Sequence, residues 1–244
     1  MVLEGDTSAI TASGQFVNIQ LDGMFLRRPI SVCDWDATTL TIVYKVVGKG
    51  TEAMSAMAPG KKLDILTGLG TGYDLTLSGE KLDILTGLGN GYDLTLAGDH
   101  PLLIGGGVGV PPMYGAAKKL AEAGIKAKVI LGFNVKEEIF YEEEFKALGC
   151  DVTVTTVDGS YGVKGFVTTA LEAMDYTYFY TCGPEPMLKA VHKASKTSGQ
   201  MSFEERMGCG FGACMGCSCK TITGYKRICK EGPVMKKEEI LWEA

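Results

Sequence analysis

The pattern of hydrophobic and polar positions changes near residue 100. Before this point, runs of about five to nine residues rich in Val, Ile, Thr and Phe are broken by glycines, which is typical of β-strands. The predicted strands lie at residues 16–21, 39–47 and 82–85. An all-β segment of this size with such turns predicts a small antiparallel β-barrel.

After residue 100, short buried runs alternate with helical segments. Strands are predicted at residues 101–104, 127–131, 152–156 and 176–181, and helices at residues 113–123, 141–148, 165–173 and 185–195. This alternation predicts a doubly wound α/β domain with a parallel sheet. We therefore expect a multi-domain chain with a barrel at residues 1–98, an α/β domain at residues 99–200 and a small C-terminal module at residues 201–244.

A 19-residue segment occurs twice within the all-β part. Residues 60–78 repeat as residues 79–97, and three positions differ, namely Lys61/Glu80, Thr71/Asn90 and Ser78/Ala97. Because solenoids need about three or more repeats, we interpret the pair as a tandem duplication. One copy fills the strand–loop–strand position and the other is an insertion. The second copy joins directly onto the α/β domain, so we expect the second copy to fill that position.

Composition limits the classes of function. The 244 residues are 45% hydrophobic and 22% charged, an ordinary globular mixture. A net charge of −5 without a basic stripe argues against a nucleic-acid partner. We find no apolar run of about 18 residues that predicts a membrane span and no signal-peptide pattern. Five of the eight cysteines cluster near the end of the chain, and we expect a reducing cytoplasm.

The clustered cysteines carry the strongest chemical signal. Cys209, Cys214 and Cys217 have C-x4-C-x2-C spacing, and Cys229 follows after eleven further residues. This is the plant-type spacing of [2Fe–2S] ligands, and interleaved glycines allow backbone N–H groups to turn toward the sulfurs. A zinc site that uses Cys217 or Cys219 stays open, although zinc favours two closely spaced cysteine pairs. A disulfide framework would require a secreted chain.

Two stretches of the all-β part contain candidate phosphate ligands. Arg28 stands directly before Pro29 and can bind a phosphate bidentately, or it is a solvated residue at a strand end. Gly50 and Thr51 precede a predicted helix at residues 52–57. Small residues and a hydroxyl at that place form a candidate phosphate cradle at a helix N-terminus.

A glycine-rich turn follows the first strand of the α/β part. Gly105, Gly106, Gly107 and Gly109 lie between strand and helix, an arrangement that lets a backbone approach a pyrophosphate. A tight turn without a ligand is the alternative. Cys182 follows the last predicted strand, on the sheet edge where ligands bind. It is therefore a candidate neighbour of a nicotinamide ring, or a plain buried cysteine.

A dinucleotide-type domain and an iron–sulfur site in one chain require a mediator. Nicotinamide exchanges two electrons as hydride, whereas an iron–sulfur cluster passes one electron at a time, and a flavin can do both. The barrel with Arg28, Gly50 and Thr51 is the candidate flavin site.

Six motifs occur in the order of a known family. They are Arg28-Pro-Ile-Ser31, Gly48-Lys-Gly-Thr51, Gly105-Gly-Gly-Val-Gly-Val-Pro-Pro112, Asp158-Gly-Ser-Tyr-Gly162, Cys182-Gly-Pro-Glu-Pro-Met187 and the cysteine run through Cys229-Lys-Glu-Gly-Pro-Val234. Over nearly its whole length the chain resembles the electron-transfer subunits of class B dihydroorotate dehydrogenases, within the ferredoxin–NADP reductase superfamily.

The resemblance implies cofactors, ligands and a partner. It implies an FAD site at Arg28, Pro29, Ile30, Ser31, Val43, Tyr44, Lys45, Gly50 and Thr51. It implies an NAD site over Gly105, Gly106, Gly107 and Gly109, with Cys182 and Gly183 nearby. It implies a [2Fe–2S] cluster on Cys209, Cys214, Cys217 and Cys229, without Cys219. The implied partner is an FMN-containing catalytic subunit that oxidises dihydroorotate in pyrimidine biosynthesis, in a heterotetramer of two plus two. No catalytic residue is expected in this chain, because the substrate site belongs to that partner.

Two other functions stay open. The first is the small subunit of an NADH-dependent ferredoxin–NADP oxidoreductase or sulfhydrogenase, whose cluster often has an aspartate ligand, so that four cysteines favour the dihydroorotate system. The second is a non-catalytic redox or zinc-binding regulator. The family's barrel has a further strand ahead of the position of Met1, so we expect a barrel without its first strand. The absence of an arginine just after Leu131 favours NAD over NADP.

Overall fold

The first part of the chain forms an antiparallel sheet of five short strands. This computed structural model describes residues 1–69, 92 and 94–242. The strands are β1 Val2–Glu4, β2 Phe16–Ile19, β3 Arg28–Trp35, β4 Thr39–Ile42 and β5 Ile65–Leu69. Their order is β1-β4-β3-β2-β5, with every pair antiparallel. Helix α1 (Lys49–Ser55) covers the sheet with Met54, which is buried against Val17, Ile19 and Ile42.

The antiparallel all-β prediction is confirmed for the described strands, but two strand ends and one helix start were wrong. Strand β4 ends at Ile42 rather than at residue 47, because residues 43–45 leave the sheet and line a cavity. Strand β2 ends at Ile19, where a turn begins in which Met24 N–H donates to the Leu21 carbonyl. Helix α1 begins at Lys49 rather than at residue 52. The predicted strand at residues 82–85 lies outside the described residues.

The second part of the chain forms the predicted α/β layer. Its strands are β6 Pro101–Gly106, β7 Lys128–Phe133, β8 Asp151–Thr156, β9 Val163–Lys164, β10 Tyr178–Cys182 and β11 Gly199–Ser202. Its helices are α2 Val110–Glu122, α3 Glu142–Ala147, α4 Val167–Leu171 and α5 Glu185–Ala194. All pairings among these six strands are parallel. Alternate residues of β6 face opposite layers, with Leu103 against α2 and Leu102 against α4 and α5.

Helix α2 begins at Val110 rather than at residue 113. Its first turn contains Pro111 and Pro112. Proline is tolerated there because N–H groups in the first turn have no acceptor within the helix. The glycine turn is therefore shorter than the sequence predicted. Likewise β10 extends through Cys182, so this cysteine is the last residue of the strand rather than part of the following turn.

The C-terminal module is joined to both preceding layers. It contains the hairpin β12 (Ser218–Thr221) and β13 (Gly224–Arg227), followed by β14 (Val234–Lys236). Strand β14 pairs antiparallel with β11 and completes a seven-stranded sheet of order β14-β11-β10-β6-β7-β8-β9. The module's buried residues Cys217 and Ile228 pack against Phe16 of the first sheet. The sheet therefore crosses the boundary expected at residue 200.

The first sheet is also tied to the α/β layer through β3 and α2. A Cβ atom on Gly115 would lie 2.7 Å from the Cys33 carbonyl oxygen, so the helix backbone approaches the strand closely. Lys118 Nζ lies 2.7 Å from an Asp34 carboxylate oxygen, and hydrogen bonding to Asp34 raises the pKa of Lys118. These contacts hold the two layers together. No helix in the described ranges is long and apolar enough to cross a membrane.

Each duplicated segment contributes part of the described structure. The first copy supplies β5, which pairs with β2. The second copy supplies Tyr92, Leu94 and Ala97, which are buried in the α/β core. The expectation that the second copy fills the whole position was therefore wrong for the strand and right for the segment after it.

Two of the three differences between the copies fit this division. Lys61 of the first copy pairs with Asp22 at 3.1 Å, whereas its counterpart Glu80 would place a like charge beside Asp22. Ala97 of the second copy is 1% exposed, whereas its counterpart Ser78 would place a hydroxyl in that buried position. The first copy thus places Lys61 beside an opposite charge, and the second copy places the apolar Ala97 in a buried position.

Deleting either copy, or the stretch between the two used ends, tests this division. Three deletions, of residues 60–78, 70–88 or 79–97, leave single-copy chains that differ at the three variable positions alone. Deletion of 70–88 keeps Lys61 and Ala97, so we expect it to have the highest Tm. Deletion of 79–97 introduces the buried hydroxyl, at a cost of about 1–3 kcal/mol, and should have the lowest Tm.

Deletion of 60–78 should lie between these two chains. It removes an exposed ion pair, which contributes less than about 1 kcal/mol. Thermal unfolding of the three proteins checks the order, and FAD content checks that each is native. Equal Tm values for the 70–88 and 79–97 deletions would contradict the assignment of Ala97.

Candidate functional site

A cavity of about 760 Å³ opens at the carboxyl ends of β6, β7 and β8. One wall comes from the segment after β4, at Val43, Tyr44 and Lys45, and another from the turn residues Gly106 and Gly107. The volume falls in the range of small-molecule sites, and the position matches the ligand-binding edge of open α/β sheets. Residues expected for FAD and residues expected for NAD therefore meet in one cavity.

Close packing shapes the glycine turn. A Cβ atom on Gly109 would overlap the Cys182 carbonyl, and one on Gly106 would overlap the Met187 sulfur. Gly107 has a φ of +52° and no atom within 4 Å of its Cβ position, so it faces open space. Only glycine combines this left-handed backbone with a bare surface at low cost. The turn thus presents backbone to the cavity, as a pyrophosphate site requires.

The remaining residues expected for NAD lie behind this surface. The cavity lining includes Gly106 and Gly107 but omits Gly105, Gly109, Cys182 and Gly183. These four residues pack the turn against the start of α2 and the end of β10. Burial raises the pKa of the Cys182 thiol to about 11, so it is protonated at neutral pH. Its place beside a nicotinamide ring stays a prediction.

Several lining residues escaped the sequence analysis. The Glu138 carboxylate accepts hydrogen bonds from Asn134 N–H at 3.1 Å and from Asn134 Nδ2 at 2.9 Å, and lies 4.0 Å from Lys45 Nζ. Further lining residues are Gly132, Phe133, Thr155, Val157, Phe166 and Thr168. The sequence could have indicated these residues, because they follow the carboxyl ends of parallel strands or lie at the start of α4, where ligands bind in such sheets.

Arg28 and Gly50 come together where β3 begins. The Arg28 guanidinium lies so close to Gly50 that a Cβ atom there would overlap it. Arg28 donates to the Leu26 carbonyl at 2.6 Å and to the Met24 sulfur at 3.0 Å. In the described part of the chain, no carboxylate pairs with this guanidinium. Because no carboxylate among the described residues neutralises the Arg28 guanidinium and it lies against the backbone of Gly50, it can bind a phosphate group.

Thr51 makes local hydrogen bonds at the start of α1. Its hydroxyl accepts hydrogen bonds from Val47 N–H at 2.9 Å and Gly48 N–H at 3.3 Å. Because α1 begins at Lys49, Gly50 and Thr51 belong to its first turn rather than preceding it. The hydroxyl therefore shapes the loop before the helix.

The rest of the expected flavin motif belongs to β3. Pro29, Ile30 and Ser31 pair with residues of β2, with Pro29 opposite Asn18. The motif is therefore held by the strand that occupies the middle of the first sheet.

The cysteines at 209, 214, 217 and 229 converge around one loop. We call residues 208–217 the cysteine loop. Cys209 Sγ accepts a hydrogen bond from Ala213 N–H at 3.2 Å, and Cys217 Sγ accepts one from Cys229 N–H at 3.4 Å. A Cβ atom on Gly208 would lie 3.1 Å from Cys214 Sγ. Backbone N–H groups thus point at sulfur, as they do around iron–sulfur clusters.

The two ends of this group differ in thiol acidity. Burial alone would raise the pKa of Cys209, but N–H donors from Cys214, Phe211 and Ala213 lower it to about 6. Burial and the neighbouring Cys217 thiol raise the pKa of Cys229 to about 12. Iron binds the thiolate form of cysteine. Cys209 is therefore readily available as a thiolate, whereas Cys229 must lose a proton when it binds iron.

The backbone of the cysteine loop is specialised. Gly210 and Gly212 have left-handed φ values of +79° and +93°, and Met215 has +61°. Arg227 Nη1 donates to the Gly212 carbonyl at 2.5 Å, and Arg227 also pairs with Glu231. The loop is thereby held against the hairpin strand that precedes Cys229.

Cys219 lies apart on β12. Its thiol is 3.9 Å from the Met235 sulfur, and burial raises its pKa. All eight cysteines are free thiols. Within the described ranges, no three Cys, His, Asp or Glu side chains surround a point suited to a single metal ion. The thiols of Cys209, Cys214, Cys217 and Cys229, with N–H donors near them, fit a cluster with cysteine ligands.

Comparison with known proteins supports this division of sites. Residues 204–241 match a family model described as the iron-sulfur cluster binding domain of dihydroorotate dehydrogenase B. Residues 103–193 match an oxidoreductase NAD-binding domain. The first range contains the cysteine group, and the second contains the glycine turn and most of the cavity wall.

Similar proteins cover nearly the whole chain. The "Dihydroorotate dehydrogenase B (NAD(+)), electron transfer subunit" of Fusobacterium nucleatum is 42% identical over 93% of this chain and 86% of its own length. The protein of the same name from Bacillus pumilus is 41% identical over 98% of this chain and 91% of its own length.

One solved structure also superimposes over most of the chain. It is a structure from work on flavin-based electron bifurcation by the NADH-dependent reduced ferredoxin–NADP oxidoreductase. The TM-score is 0.80 and the identity 28%, over 99% of this chain and 85% of that chain. The two named relatives exceed it in identity and share one description. The chain belongs to the family of electron transfer subunits of dihydroorotate dehydrogenase B.

Proposed function

We propose that this chain carries electrons between an FMN-containing dihydroorotate dehydrogenase catalytic subunit and NAD, in pyrimidine biosynthesis. One observation carries the proposal: the first sheet stands between the two other sites. Val43, Tyr44 and Lys45 extend from it into the cavity at the glycine turn. Phe16 on its β2 strand packs against the cysteine module. A flavin held on this sheet would lie between an NAD site and a [2Fe–2S] site.

The proposed ligands follow the three sites. FAD binds at Arg28, Pro29, Ile30, Ser31, Val43, Tyr44, Lys45, Gly50 and Thr51. NAD binds over Gly105, Gly106, Gly107 and Gly109, with Cys182 and Gly183 nearby. The [2Fe–2S] cluster binds at Cys209, Cys214, Cys217 and Cys229. The bound flavin supplies exchange between hydride pairs and single electrons.

The chain's own residues bind, orient and separate these groups. Arg28 neutralises phosphate charge, and its donation to the Leu26 carbonyl fixes the direction of its guanidinium. Gly107 offers bare backbone to the dinucleotide. Glu138, fixed by Asn134, sets the charge of the cavity wall opposite Lys45. The packed core of Phe16, Cys217 and Ile228 excludes water between the cysteine group and the first sheet.

We further propose a heterotetramer of two such chains and two catalytic subunits. The cysteine loop exposes Phe211 and Met215, at 50% and 52%, which is typical of a surface that another protein covers. The proposed compartment is a reducing cytoplasm, where eight free thiols persist.

Co-purification with a candidate FMN subunit tests the function. We expect the complex to reduce NAD⁺ when dihydroorotate is added, and we expect this chain alone to be inactive with dihydroorotate. The chain alone should still oxidise NADH with a dye as the electron acceptor, because the proposed flavin and NAD sites both lie on this chain. Purified chain that contains zinc and no flavin would exclude the proposal.

A second candidate is the small subunit of an NADH-dependent ferredoxin–NADP oxidoreductase, favoured by the TM-score of 0.80. In that case the chain would form a complex with a flavoprotein that uses NADPH and ferredoxin. Dihydroorotate would then be neither bound nor oxidised by the complex. The same co-purification experiment, with both electron donors supplied in turn, separates the two functions.

Substituting Gly109 tests the glycine turn. We expect Gly109→Ala to lower Tm and weaken NAD binding, because the added methyl group overlaps the Cys182 carbonyl and overpacking costs about 1–3 kcal/mol. Thermal unfolding and NADH titration measure the two effects. Gly5→Ala is the control, since no atom lies within 4 Å of its Cβ position. Equal Tm values for the two variants would contradict the close approach of the turn to β10.

A further inference from the structure

Asn18 lies between the flavin motif and the cysteine loop. On β2 it is paired with Pro29 of β3 on one side and with Leu66 of β5 on the other. Its amide Nδ2 lies so close to Gly210 that a Cβ atom there would overlap it. One side chain thus touches the loop that contains Cys209 and belongs to the strand beside the flavin motif.

The surroundings of Asn18 do not require a polar side chain. It is 1% exposed, and Phe16, two residues earlier on the same strand, packs into the apolar layer between the first sheet and the cysteine module. Its Oδ1 atom is buried with no hydrogen-bond partner in the described part of the chain. An unpaired buried oxygen costs about 1–3 kcal/mol, whereas leucine, of nearly the same shape, would avoid that cost.

We propose that Asn18 is a positioning residue for electron transfer between the flavin and the cluster. Its carboxamide packs against Gly210 and thereby holds the cysteine loop against the flavin-bearing sheet. With the cluster bound, its N–H group would donate toward the sulfur ligands at the Cys209 end. Such donors raise the reduction potential of iron–sulfur clusters. The proposal rests on the proposed function, because it requires the cluster to be bound.

The glycine at position 210 completes this arrangement. Its φ of +79° turns the loop toward β2, and the absence of a side chain lets the Asn18 amide reach the loop backbone. A side chain at position 210 would collide with the Asn18 amide. The close approach therefore indicates that the amide and the loop are matched to one another.

Pulsed EPR on the reduced holoprotein directly tests the proposed hydrogen bond from the Asn18 amide to the sulfur ligands of the cluster. The chain has three asparagines, Asn18, Asn90 and Asn134, so labelling with ¹⁵N-amide asparagine marks few sites. We expect a ¹⁵N coupling to the cluster spin. The coupling should be absent in Asn18→Leu and retained in Asn134→Leu, whose residue lines the cavity.

Redox titration tests the effect on the cluster. We expect Asn18→Leu to shift the reduction equilibrium of the cluster about tenfold toward the oxidised form, which is about 59 mV for a one-electron couple. Reduction of the cluster by NADH, followed by stopped flow, should slow while flavin reduction keeps its rate. Gln20→Leu is the matched control just after the same strand, because its amide donates to the Leu21 and Met24 carbonyls rather than to the cysteine loop. It should keep the potential of the wild type.

The outcomes separate this proposal from the proposed function. A wild-type protein with no [2Fe–2S] EPR signal would refute the function itself. A normal signal without ¹⁵N coupling, together with an unchanged potential in Asn18→Leu, would refute the role of Asn18 and leave the function intact. If Asn18→Leu fails to fold, the ¹⁵N measurement on the wild type still decides.

Discussion

Cys214→Ser should remove the [2Fe–2S] cluster and leave the flavin bound. Cys214 is exposed on the cysteine loop, so its replacement removes a cluster ligand without opening a cavity in the core. The flavin motif lies on β3, in a different sheet from β14, the strand that anchors the module. Iron content and the visible spectrum measure cluster loss, and FAD released on denaturation measures flavin retention.

Cys219→Ser is the matched control for that variant. Its thiol lies beside Met235, on the hairpin rather than the cysteine loop, so we expect full iron content. Loss of iron in Cys219→Ser with retention in Cys214→Ser would show that the ligand set is wrong. Loss of both cofactors from Cys214→Ser would show that the two sites do not form independently.

Arg28→Leu should weaken FAD binding about tenfold to a hundredfold. Hydrogen bonds to charged groups contribute about 1.5–3 kcal/mol, and a guanidinium matches phosphate geometry. Arg28 has no carboxylate partner among the described residues, so its charge is free for a ligand. The dissociation constant, measured by flavin fluorescence with the deflavinated protein, checks this expectation.

Arg27→Leu provides the comparison at the neighbouring position. The Arg27 guanidinium is already paired with the Asp64 carboxylate at 2.8 Å, so it has no charge to spare for a phosphate. We expect its FAD affinity to match that of the wild type. If Arg27→Leu weakened FAD binding as much as Arg28→Leu, the assignment of a single phosphate-binding arginine would fail.

Local sequence rules predicted the α/β part well. Strand–helix alternation depends on periodicity and on turn residues, and both can be read along the chain. Their errors lay at boundaries, as at Val110, where the two following prolines suggested a later helix start than the structure has. The structure also places the four predicted cysteines near one another, and their role as ligands stays a prediction.

Contacts between distant segments were not predicted. Strand β14 joins β11 across more than thirty residues, and no local pattern specifies such a partner. No local pattern marks Glu138, which lies on the cavity wall beside the ends of β6, β7 and β8. No local pattern marks Asn18 either, which is buried beside Gly210 of the cysteine loop.

The duplication divides the two kinds of information most clearly. The sequence by itself determined that the two copies are equivalent at all but three positions, and it determined the cysteine spacing and the glycine turn. Only the tertiary structure shows which copy is used at each end: Lys61 of the first copy lies beside Asp22, and Ala97 of the second copy lies in the α/β core. Hydrogen bonding within a strand is nearly independent of side-chain identity, so pairing alone could not distinguish the copies. Long-range packing and charge can distinguish the copies, because they act at the positions where the copies differ.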